Sequence, residues 1–455
     1  MSVVSKFAQK SINNGYVARF NSLKNIPIFY SLDLDNAVED YLNCKLDKED
    51  PPFEIADIIS SLKNNRVIID NNEYDDKILD AVRKTIKKPY PSVLYLILTE
   101  KCNFACDYCF IERYMNPKKT NVMSKETSKK AIDLFVRLIR NDMTRFEEEK
   151  QIIFYGGEPL SNFETLEYAA TIINDYIKKG LLPEKTTMNM VTNGTLLTDE
   201  IANRIKELNI TFSVSLDGAT EKANSCRKFH NGQYGFNKII NGIEIAKRNN
   251  CNFGLSMTLS EDALKEKDKI YDLLDKYNIN SIGFNILLTD KSYSVPDSYF
   301  IEASSFLVEA YKVFRQKGIY EDRMMRKVDA FVNHRLYLQD CAAQGGNQII
   351  IAPNGEIGLC HGYLSTRETF VDKLDNDLFD PTKNEVFIEW NRRSPVNMEQ
   401  CLSCPALGFC GGGCPLNAKA NGESIWDLDK RFCIHAKATQ DFLIWDLFEN
   451  IRKNH

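Results

Sequence analysis

The sequence has none of the long apolar runs that enter or cross a membrane. No stretch approaches the ~18 consecutive apolar residues of a spanning helix, and the most tempting run, residues 442–448, is short and interrupted by Asp446. The first ten residues also lack the apolar core and the cleavage site of a secretion signal. We therefore expect a soluble protein of the cytoplasm with no membrane partner.

An excess of positive charge is missing as well. The 58 lysines and arginines are outnumbered by 63 aspartates and glutamates, which gives a formal net charge of -5. This balance argues against a nucleic-acid partner, because binding the phosphate backbone needs a basic surface. The chain of 455 residues is longer than one ordinary domain, and we expect two or three domains.

Cysteine is the residue that the chain has in plenty. Thirteen cysteines in a chain without a secretion signal indicate reduced thiols that bind metal rather than disulfides. Three of them, Cys102, Cys106 and Cys109, follow the apolar run 92–99 at close spacing. Three thiolates can hold three irons of a cubane iron-sulfur cluster and leave the fourth iron open. The alternative is a structural zinc site, although zinc normally takes four ligands.

Between residues 92 and 288, short β-branched and aromatic runs alternate with segments of helical period. This alternation is typical of βα units with a parallel sheet. We expect six strands, at residues 92–99, 151–155, 187–192, 210–216, 252–259 and 281–287. The helices are expected at residues 126–140, 162–179, 198–207, 236–249 and 261–277, with Thr198 as a helix N-cap. Six units, rather than eight, predict an α/β fold with a partial (β/α)6 barrel of the TIM type.

Polar or glycine-rich residues follow each of the first four predicted strands. The cysteine loop follows the first strand, and residues 156–159, 192–195 and 215–218 follow the next three. Functional groups of such barrels gather at the carboxyl ends of the strands. Each segment by itself is compatible with an ordinary turn, but four in succession predict a ligand site.

The cysteine spacing, the aromatic Tyr108 before the last cysteine and the preceding strand resemble the radical S-adenosylmethionine (SAM) superfamily. The resemblance implies that Cys102, Cys106 and Cys109 are the catalytic cluster ligands. It also implies that SAM chelates the open iron, and that reduction of the cluster cleaves SAM to a 5'-deoxyadenosyl radical.

The resemblance further implies contacts to SAM. Gly156, Gly157 and Glu158 match the segment that contacts the amino group, and the stretch 215–218 looks like the motif that contacts the ribose and methionine. Arg227 matches an arginine that pairs with the carboxylate, a role that suits a bidentate guanidinium; a solvated surface arginine is the alternative. The residues expected to bind the cofactor are Tyr108, Gly156, Gly157, Glu158, Asn193, Ser215, Asp217 and Arg227.

Seven further cysteines cluster near the C-terminus: Cys341, Cys360, Cys401, Cys404, Cys410, Cys414 and Cys433. Their order and spacing, with Gly355 five positions before the second cysteine, match the SPASM domain. The resemblance implies two auxiliary 4Fe-4S clusters, and therefore three clusters in all. One would be held by Cys401, Cys404, Cys410 and Cys433, and the other by Cys341, Cys360 and Cys414. Zinc bound by four of the seven thiolates is the alternative.

Two closed clusters need eight thiolates, and this region supplies seven. In SPASM enzymes with two closed clusters the eighth cysteine lies just before the position of Cys341, where residues 333–340 contain none. Either His334 replaces it, or one iron stays open and suits a substrate thiolate, a soft ligand. Sulfatase-maturating enzymes also have a carboxylate after the second SPASM cysteine, where this chain has His361.

These resemblances predict a radical SAM maturase similar to the sactipeptide and ranthipeptide synthases. Such an enzyme would join cysteine sulfur to carbon in a ribosomally made precursor peptide, with an electron donor such as flavodoxin or ferredoxin. The alternatives are carbon-carbon cross-linking, another peptide oxidation of the sulfatase-maturase type, or a non-catalytic zinc or peptide-binding scaffold.

The segment before the barrel resembles a peptide-recognition module. Strand-like runs at residues 16–20, 28–32 and 66–70 alternate with helical patterns at 34–42, 54–64 and 75–86, which suits a winged-helix-like fold. Such a module captures a leader peptide by adding it as a strand to a sheet edge; a purely structural cap is the alternative. We therefore expect three domains, at residues 1–88, 89–320 and 321–455.

Overall fold

The computed structural model describes residues 2–46, 50–111 and 121–454. Its strands are β1 (Val3–Val4), β2 (Ala8–Asn13), β3 (Tyr16–Asn21), β4 (Ile28–Ser31), β5 (Ile68–Ile69), β6 (Val93–Thr99), β7 (Lys150–Gly156), β8 (Thr186–Thr192), β9 (Ile210–Leu216), β10 (Phe253–Leu259), β11 (Ser281–Ile286), β12 (Tyr320–Glu321), β13 (Gln348–Ile351), β14 (Glu356–Gly358) and β15 (Phe370–Lys373).

The helices are α1 (Asp35–Asp40), α2 (Ala56–Asn64), α3 (Asn72–Lys84), α4 (Lys125–Ile139), α5 (Phe163–Lys178), α6 (Asp199–Glu207), α7 (Phe236–Arg248), α8 (Glu261–Lys265), α9 (Lys267–Tyr277), α10 (Asp297–Lys317), α11 (Asp322–Val332), α12 (Glu385–Arg392), α13 (Pro415–Asn421) and α14 (Lys430–Asn454). Among these described residues, no helix is both long and apolar enough to cross a membrane.

A ten-stranded sheet organises the molecule, in the order β12-β11-β10-β9-β8-β7-β6-β13-β14-β15. Strands β6 to β11 run parallel and coincide with the six predicted strands to within one residue at each end, so the predicted partial barrel is confirmed. Side chains alternate along each strand. In β7, for example, Ile152 and Phe154 are fully buried against the helices, whereas Gln151, Ile153 and Tyr155 face the barrel interior.

The helices largely follow the predicted periods, with one correction. Thr198 caps α6 by accepting the Ile201 N–H, as predicted. The single helix expected over 261–277 is wrong, because it is divided into α8 and α9 at Glu266, whose backbone (φ -117°, ψ 30°) is not helical. The Glu266 carboxylate accepts a hydrogen bond from the Thr220 hydroxyl at 2.5 Å. The helical period of a sequence segment does not reveal such a contact, because Thr220 and Glu266 are far apart in the chain.

The N-terminal module contains a three-stranded antiparallel sheet, in the order β2-β3-β4, and a two-stranded pair of β1 with β5. The sequence analysis missed β1 and β2. A buried polar network ties the sheet to α1. Arg19 donates to the Tyr30 hydroxyl at 2.6 Å, and this hydroxyl donates to Asp35 at 2.8 Å. Antiparallel strands followed by helices agree with the expected winged-helix-like order.

The C-terminal region is packed onto both preceding parts of the chain. Strand β13 pairs with β6 in parallel, so the cysteine-rich region continues the barrel sheet. Helix α14 packs Trp445 and Phe448 against Phe29 of the N-terminal sheet, with ring centroids 5.9 and 5.0 Å apart. The domain limits at residues 88 and 320 stay predictions, since the sheet and the core run across them.

Candidate active site

A cavity of about 750 Å³ opens at the carboxyl ends of the parallel strands. Its volume lies within the range of small-molecule sites. Among the residues singled out in the sequence, those that line it are Cys102, Cys106, Tyr108, Cys109, Gly156, Gly157, Asn193, Ser215, Arg227, Cys341, Cys360, His361 and Cys414. The structure therefore brings the cysteine loop and part of the C-terminal cysteine set to one cavity, although more than two hundred residues separate them in sequence.

The glycine pair after β7 lets two backbone segments touch. A Cβ on Gly157 would lie 2.2 Å from the Lys101 carbonyl oxygen, and one on Gly156 would lie 2.2 Å from that of Thr99. Gly156 also has φ +145°, a conformation that side chains disfavour. The Gly157 N–H donates to Thr99 and the Glu158 N–H donates to Lys101, each at 2.9 Å. The glycines thus hold the cysteine loop against the end of β7.

The opposite side of the cysteine loop is held by the segment after β9. The Ala105 N–H donates to the Lys228 carbonyl at 2.7 Å, and the Phe104 and Phe229 rings meet edge to face at 4.6 Å. Loop residues fixed from two sides keep their geometry at low entropic cost when a cofactor binds.

Glu158 lies behind the cavity wall and connects two strand ends. Its buried carboxylate accepts the N–H groups of Leu160 and Asn193 and the hydroxyl of Thr192, at 2.7 to 3.0 Å. Burial raises the pKa of Glu158, and these hydrogen bonds act in the opposite direction. The sequence analysis expected Glu158 to contact SAM. In the structure its side chain instead supports the turn that follows β8.

The amide of Asn193 is part of a closed ring of hydrogen bonds. Its Oδ1 accepts the Thr195 hydroxyl at 2.6 Å, its Nδ2 donates to Asn103 at 2.7 Å, and Asn103 donates back to Thr195 at 2.8 Å. Asn103 was not recognised in the sequence. The ring fixes the cysteine loop to the end of β8.

Arg227 is buried, 7% exposed, which overturns the alternative of a solvated surface arginine. Its Nε donates to the fully buried Asp217 at 2.9 Å, and the Tyr108 hydroxyl lies 2.6 and 2.7 Å from the two oxygens of the same carboxylate. Within the described chain, the terminal nitrogens of Arg227 have no hydrogen-bond partner. Asp217 and Tyr108 therefore hold a guanidinium whose free edge suits an anionic group in the cavity.

Cys341, Cys360 and Cys414 form the second cysteine group of the cavity. Burial, and then the neighbouring Cys414 and Asp340, raise the pKa of Cys341 to about 12. Burial, Cys414 and Cys341 likewise raise the pKa of Cys360. Mutual repulsion of this kind is expected where several thiolates converge, and a bound metal reverses it. His334 is exposed and does not line the cavity.

The other four cysteines lie away from the cavity. Burial, Cys410 and Cys404 raise the pKa of Cys401 to about 12, and burial, Cys410 and Cys401 do the same for Cys433. Three of these thiols, those of Cys401, Cys404 and Cys410, adjoin the core that the N-terminal module shares with the C-terminal region. Residues 411–413, three glycines with φ between +72° and +87°, connect this group to Cys414.

The two C-terminal cysteine groups, like the cysteine loop, have the donor chemistry of iron-sulfur clusters. They provide thiolates in sets of three and four. In the described part of the chain, no three Cys, His, Asp or Glu side chains have the arrangement of a single metal-ion site. A cluster on the cysteine loop would be held by Cys102, Cys106 and Cys109, with Arg227 on the wall beside it.

Three aromatic rings stand between the two cysteine groups of the cavity, and the sequence analysis had singled out only His361 among them. They belong to Tyr95 of β6, Tyr155 of β7 and His361, which follows Cys360. Side chains alternate between the two faces of β6 and β7, and this alternation directs Tyr95 and Tyr155 into the barrel. The same two-residue period in the sequence could have identified both tyrosines as cavity residues. The proximity of His361 depends on the tertiary fold.

Comparison with known proteins agrees with this site. Residues 96–274 match the family described as the radical SAM superfamily. The chain is 26% identical over 405 residues to the radical SAM cyclopropyl synthase TigE of Paramaledivibacter caminithermalis, a match that covers 84% of this chain and 80% of that protein. It is 23% identical over 344 residues to a cysteine-type anaerobic sulfatase-maturating enzyme of Clostridium novyi, covering 72% and 89% of the two chains.

Two solved structures share the fold. The sulfatase-maturating enzyme anSMEcpe with bound AdoMet superposes with a TM-score of 0.66 at 18% identity, covering 80% of this chain and all of that one. Streptococcus suis SuiB, bound to its precursor peptide SuiA, gives a TM-score of 0.54 at 15% identity and covers 95% of this chain and all of that one.

The family match agrees with the cysteine loop and the cavity. Residues 96–274 form a radical SAM domain, and the chain is similar to anaerobic sulfatase-maturating enzymes and to a radical SAM cyclopropyl synthase. A radical SAM domain implies a 4Fe-4S cluster and SAM.

Proposed function

We propose that this protein is a radical peptide maturase that joins cysteine sulfur to carbon in a precursor peptide. One observation carries the proposal: a single cavity connects the cysteine loop to a group of only three cysteines, Cys341, Cys360 and Cys414. Three thiolates leave one corner of a 4Fe-4S cluster for a ligand from outside the chain. A substrate thiolate is the soft ligand that such a corner prefers.

The cavity residues would position the reactants. With both bound, the reduced cluster and SAM supply a 5'-deoxyadenosyl radical, and the protein supplies placement. Arg227, held by Asp217, would bind the SAM carboxylate through its free guanidinium edge. The backbone around Gly156 and Gly157 would accept the amino group, and Ser215 and Asn193 line the same wall. A buried wall of this kind excludes water from the radical step.

The position of His334 supports an open corner rather than a histidine ligand. This residue is exposed, has φ +49° and lies outside the cavity lining that contains Cys341. The remaining four cysteines would close the second auxiliary cluster, which would pass the released electron onward to an acceptor protein. Flavodoxin or ferredoxin would supply the reducing electron.

The N-terminal module would bind the leader of the peptide by strand addition. The similarity to SuiB covers 95% of this chain and so extends into residues 1–88. SuiB is described as bound to a precursor peptide. Strands β2 and β4 are the edges of the three-stranded sheet here.

The test begins with anaerobic reconstitution of the full chain and analysis of iron, sulfide and zinc. We expect iron and sulfide in the amounts of three clusters, and 5'-deoxyadenosine when SAM and a reductant are added. The enzyme is then incubated with a cysteine-containing precursor peptide, and the product is alkylated and fragmented. Each thioether should remove one alkylatable thiol and two hydrogen atoms. Zinc without sulfide would instead indicate a scaffold.

Carbon-centred chemistry is the second candidate function. The relative TigE is named a cyclopropyl synthase, and other relatives are sulfatase-maturating enzymes. Either chemistry would leave the radical site unchanged and would not use an open auxiliary corner. A modified peptide in which every cysteine is still alkylated would favour this candidate and contradict thioether formation.

A further inference from the structure

Three rings form the part of the cavity wall that lies between the two cysteine groups. They belong to Tyr95, Tyr155 and His361, and we call them the ring pocket. The centroids of Tyr95 and His361 are 4.9 Å apart and their planes are stacked at 15°. Tyr155 meets His361 at 5.0 Å and Tyr95 at 5.6 Å, both edge to face. All three rings line the cavity.

The ring pocket adjoins both cysteine groups. Tyr95 and Tyr155 pack in one cluster with Cys109 of the cysteine loop. On the other side His361 directly follows Cys360 in sequence. Burial and the nearby Tyr155, Cys341 and Cys360 raise the pKa of the Tyr95 hydroxyl. A side chain in this pocket would therefore lie between the radical site and the three-cysteine group.

One polar atom of the ring pocket is buried and unpaired. Within the described residues, His361 Nδ1 has no hydrogen-bond partner. Buried polar groups are nearly always paired. An unpaired nitrogen beside two tyrosines that line the same cavity points to a ligand that supplies the missing partner.

The composition of the ring pocket suits a side chain that contains sulfur. Its three members are aromatic rings that line one cavity. A cysteine side chain fits them, because sulfur makes favourable contacts with aromatic rings and accepts O–H and N–H hydrogen bonds.

We propose that the ring pocket docks the substrate cysteine, with Tyr95, Tyr155 and His361 directing its sulfur to the open corner beside Cys341. The thiol would release its proton to solvent as the thiolate takes the metal. This inference rests on the proposed function, since it needs the open corner. It adds the residues that select sulfur.

The probe is N-acetyl-L-cysteine amide, an uncharged thiol, titrated by calorimetry into the reconstituted, oxidised enzyme. Saturating SAM occupies the open iron of the cluster on the cysteine loop. The thiol can therefore bind only at the open iron of the cluster held by Cys341, Cys360 and Cys414. Mössbauer spectra recorded at saturation report whether one auxiliary iron changes its ligand. N-acetyl-L-serine amide is the probe control.

Two variants test the ring pocket: the double change Tyr95→Phe with Tyr155→Phe, and His361→Phe. Each variant keeps an aromatic ring at the changed position and removes only polar atoms that face the cavity, so the fold should be retained. The matched control is Tyr363→Phe, since Tyr363 is buried three residues after Cys360 but does not line the cavity. Iron content is measured in all of them.

We expect the wild type and Tyr363→Phe to bind the thiol equally, and both ring-pocket variants to bind at least about tenfold more weakly, because each loses a donor to an anionic acceptor. Iron content should be unchanged. Equal affinity in all four proteins would overturn the ring pocket and leave the open corner intact. If the wild type bound no thiol and showed no iron change, the open corner itself, and thus the proposed function, would fail.

Discussion

Arg393 offers the sharpest test of how the C-terminal region is held together. Its side chain is fully buried and its guanidinium donates to four backbone carbonyls. These belong to Gly412 at 2.7 Å, Gly413 at 3.3 Å, Asp427 at 3.0 Å and Ile425. The first two lie in the glycine turn between Cys410 and Cys414, so this arginine fixes the link between the two auxiliary cysteine groups.

Arg393→Lys keeps the charge but replaces a planar fork by one ammonium group. The four carbonyls surround three different nitrogens, and one ammonium nitrogen cannot reach all of them. A hydrogen bond to a charged group contributes about 1.5–3 kcal/mol, so loss of two would destabilise the chain by about 3–6 kcal/mol. That is a large part of the 5–15 kcal/mol that typically stabilises a domain, so the glycine turn should lose its geometry.

The assay is anaerobic urea denaturation of the reduced, metal-free chain, followed by iron analysis after reconstitution. The matched control is Arg392→Lys, at an exposed neighbouring position. We expect an earlier unfolding transition and loss of auxiliary iron for Arg393→Lys alone. If both variants unfolded and bound iron as the wild type does, the buried carbonyl contacts would not be what holds this region.

Three other predictions address the radical site and the surface. Replacing Cys102, Cys106 and Cys109 together by alanine should abolish 5'-deoxyadenosine formation, while the iron bound by the C-terminal cysteines is retained. Chromatography of the reaction products and metal analysis of this triple variant test both results. Asp217→Asn should raise the KM for SAM about tenfold or more with iron unchanged, because buried Arg227 loses its partner; an unchanged KM would contradict this role. Arg248 and Asn249 lower the pKa of Asp199 to about 2, so its stabilising effect is present above the ordinary value of 3.8 and is lost as pH falls towards 2. Melting curves of the metal-free chain between pH 5 and 2 should therefore show a smaller acid loss for Asp199→Asn than for the wild type.

The parallel strands were predictable because their signal is local. A run such as Val93–Thr99 is buried on one face and partly buried on the other, and it reads as a strand without knowledge of its neighbours. The break at Glu266 was missed, because helical period in the sequence does not show where the backbone leaves the helical conformation. Strands β1 and β2 were missed because they are short or mostly exposed.

In the candidate site, too, some features were predictable from the sequence and others were not. Residues that act through their own backbone, such as Gly156 and Gly157, stood out in the sequence and line the cavity. Glu158 and Asp217 were recognised as polar residues at strand ends, but their carboxylates lie behind the wall, where they hold Asn193 and Arg227. Sequence shows that a polar group is present at a strand end, not which way it points.

The sequence by itself determined the number and spacing of the thiols, since three cysteines within eight residues must share one loop whatever the rest of the chain does. It also determined that the C-terminal set has seven thiols, one fewer than the eight that two closed 4Fe-4S clusters need. Only the tertiary structure decided that Cys341, Cys360 and Cys414 face the same cavity as that loop, and that Tyr95 stacks on His361. Pairing β13 with β6 brings these distant segments together, and contacts of that range leave no trace in local periodicity.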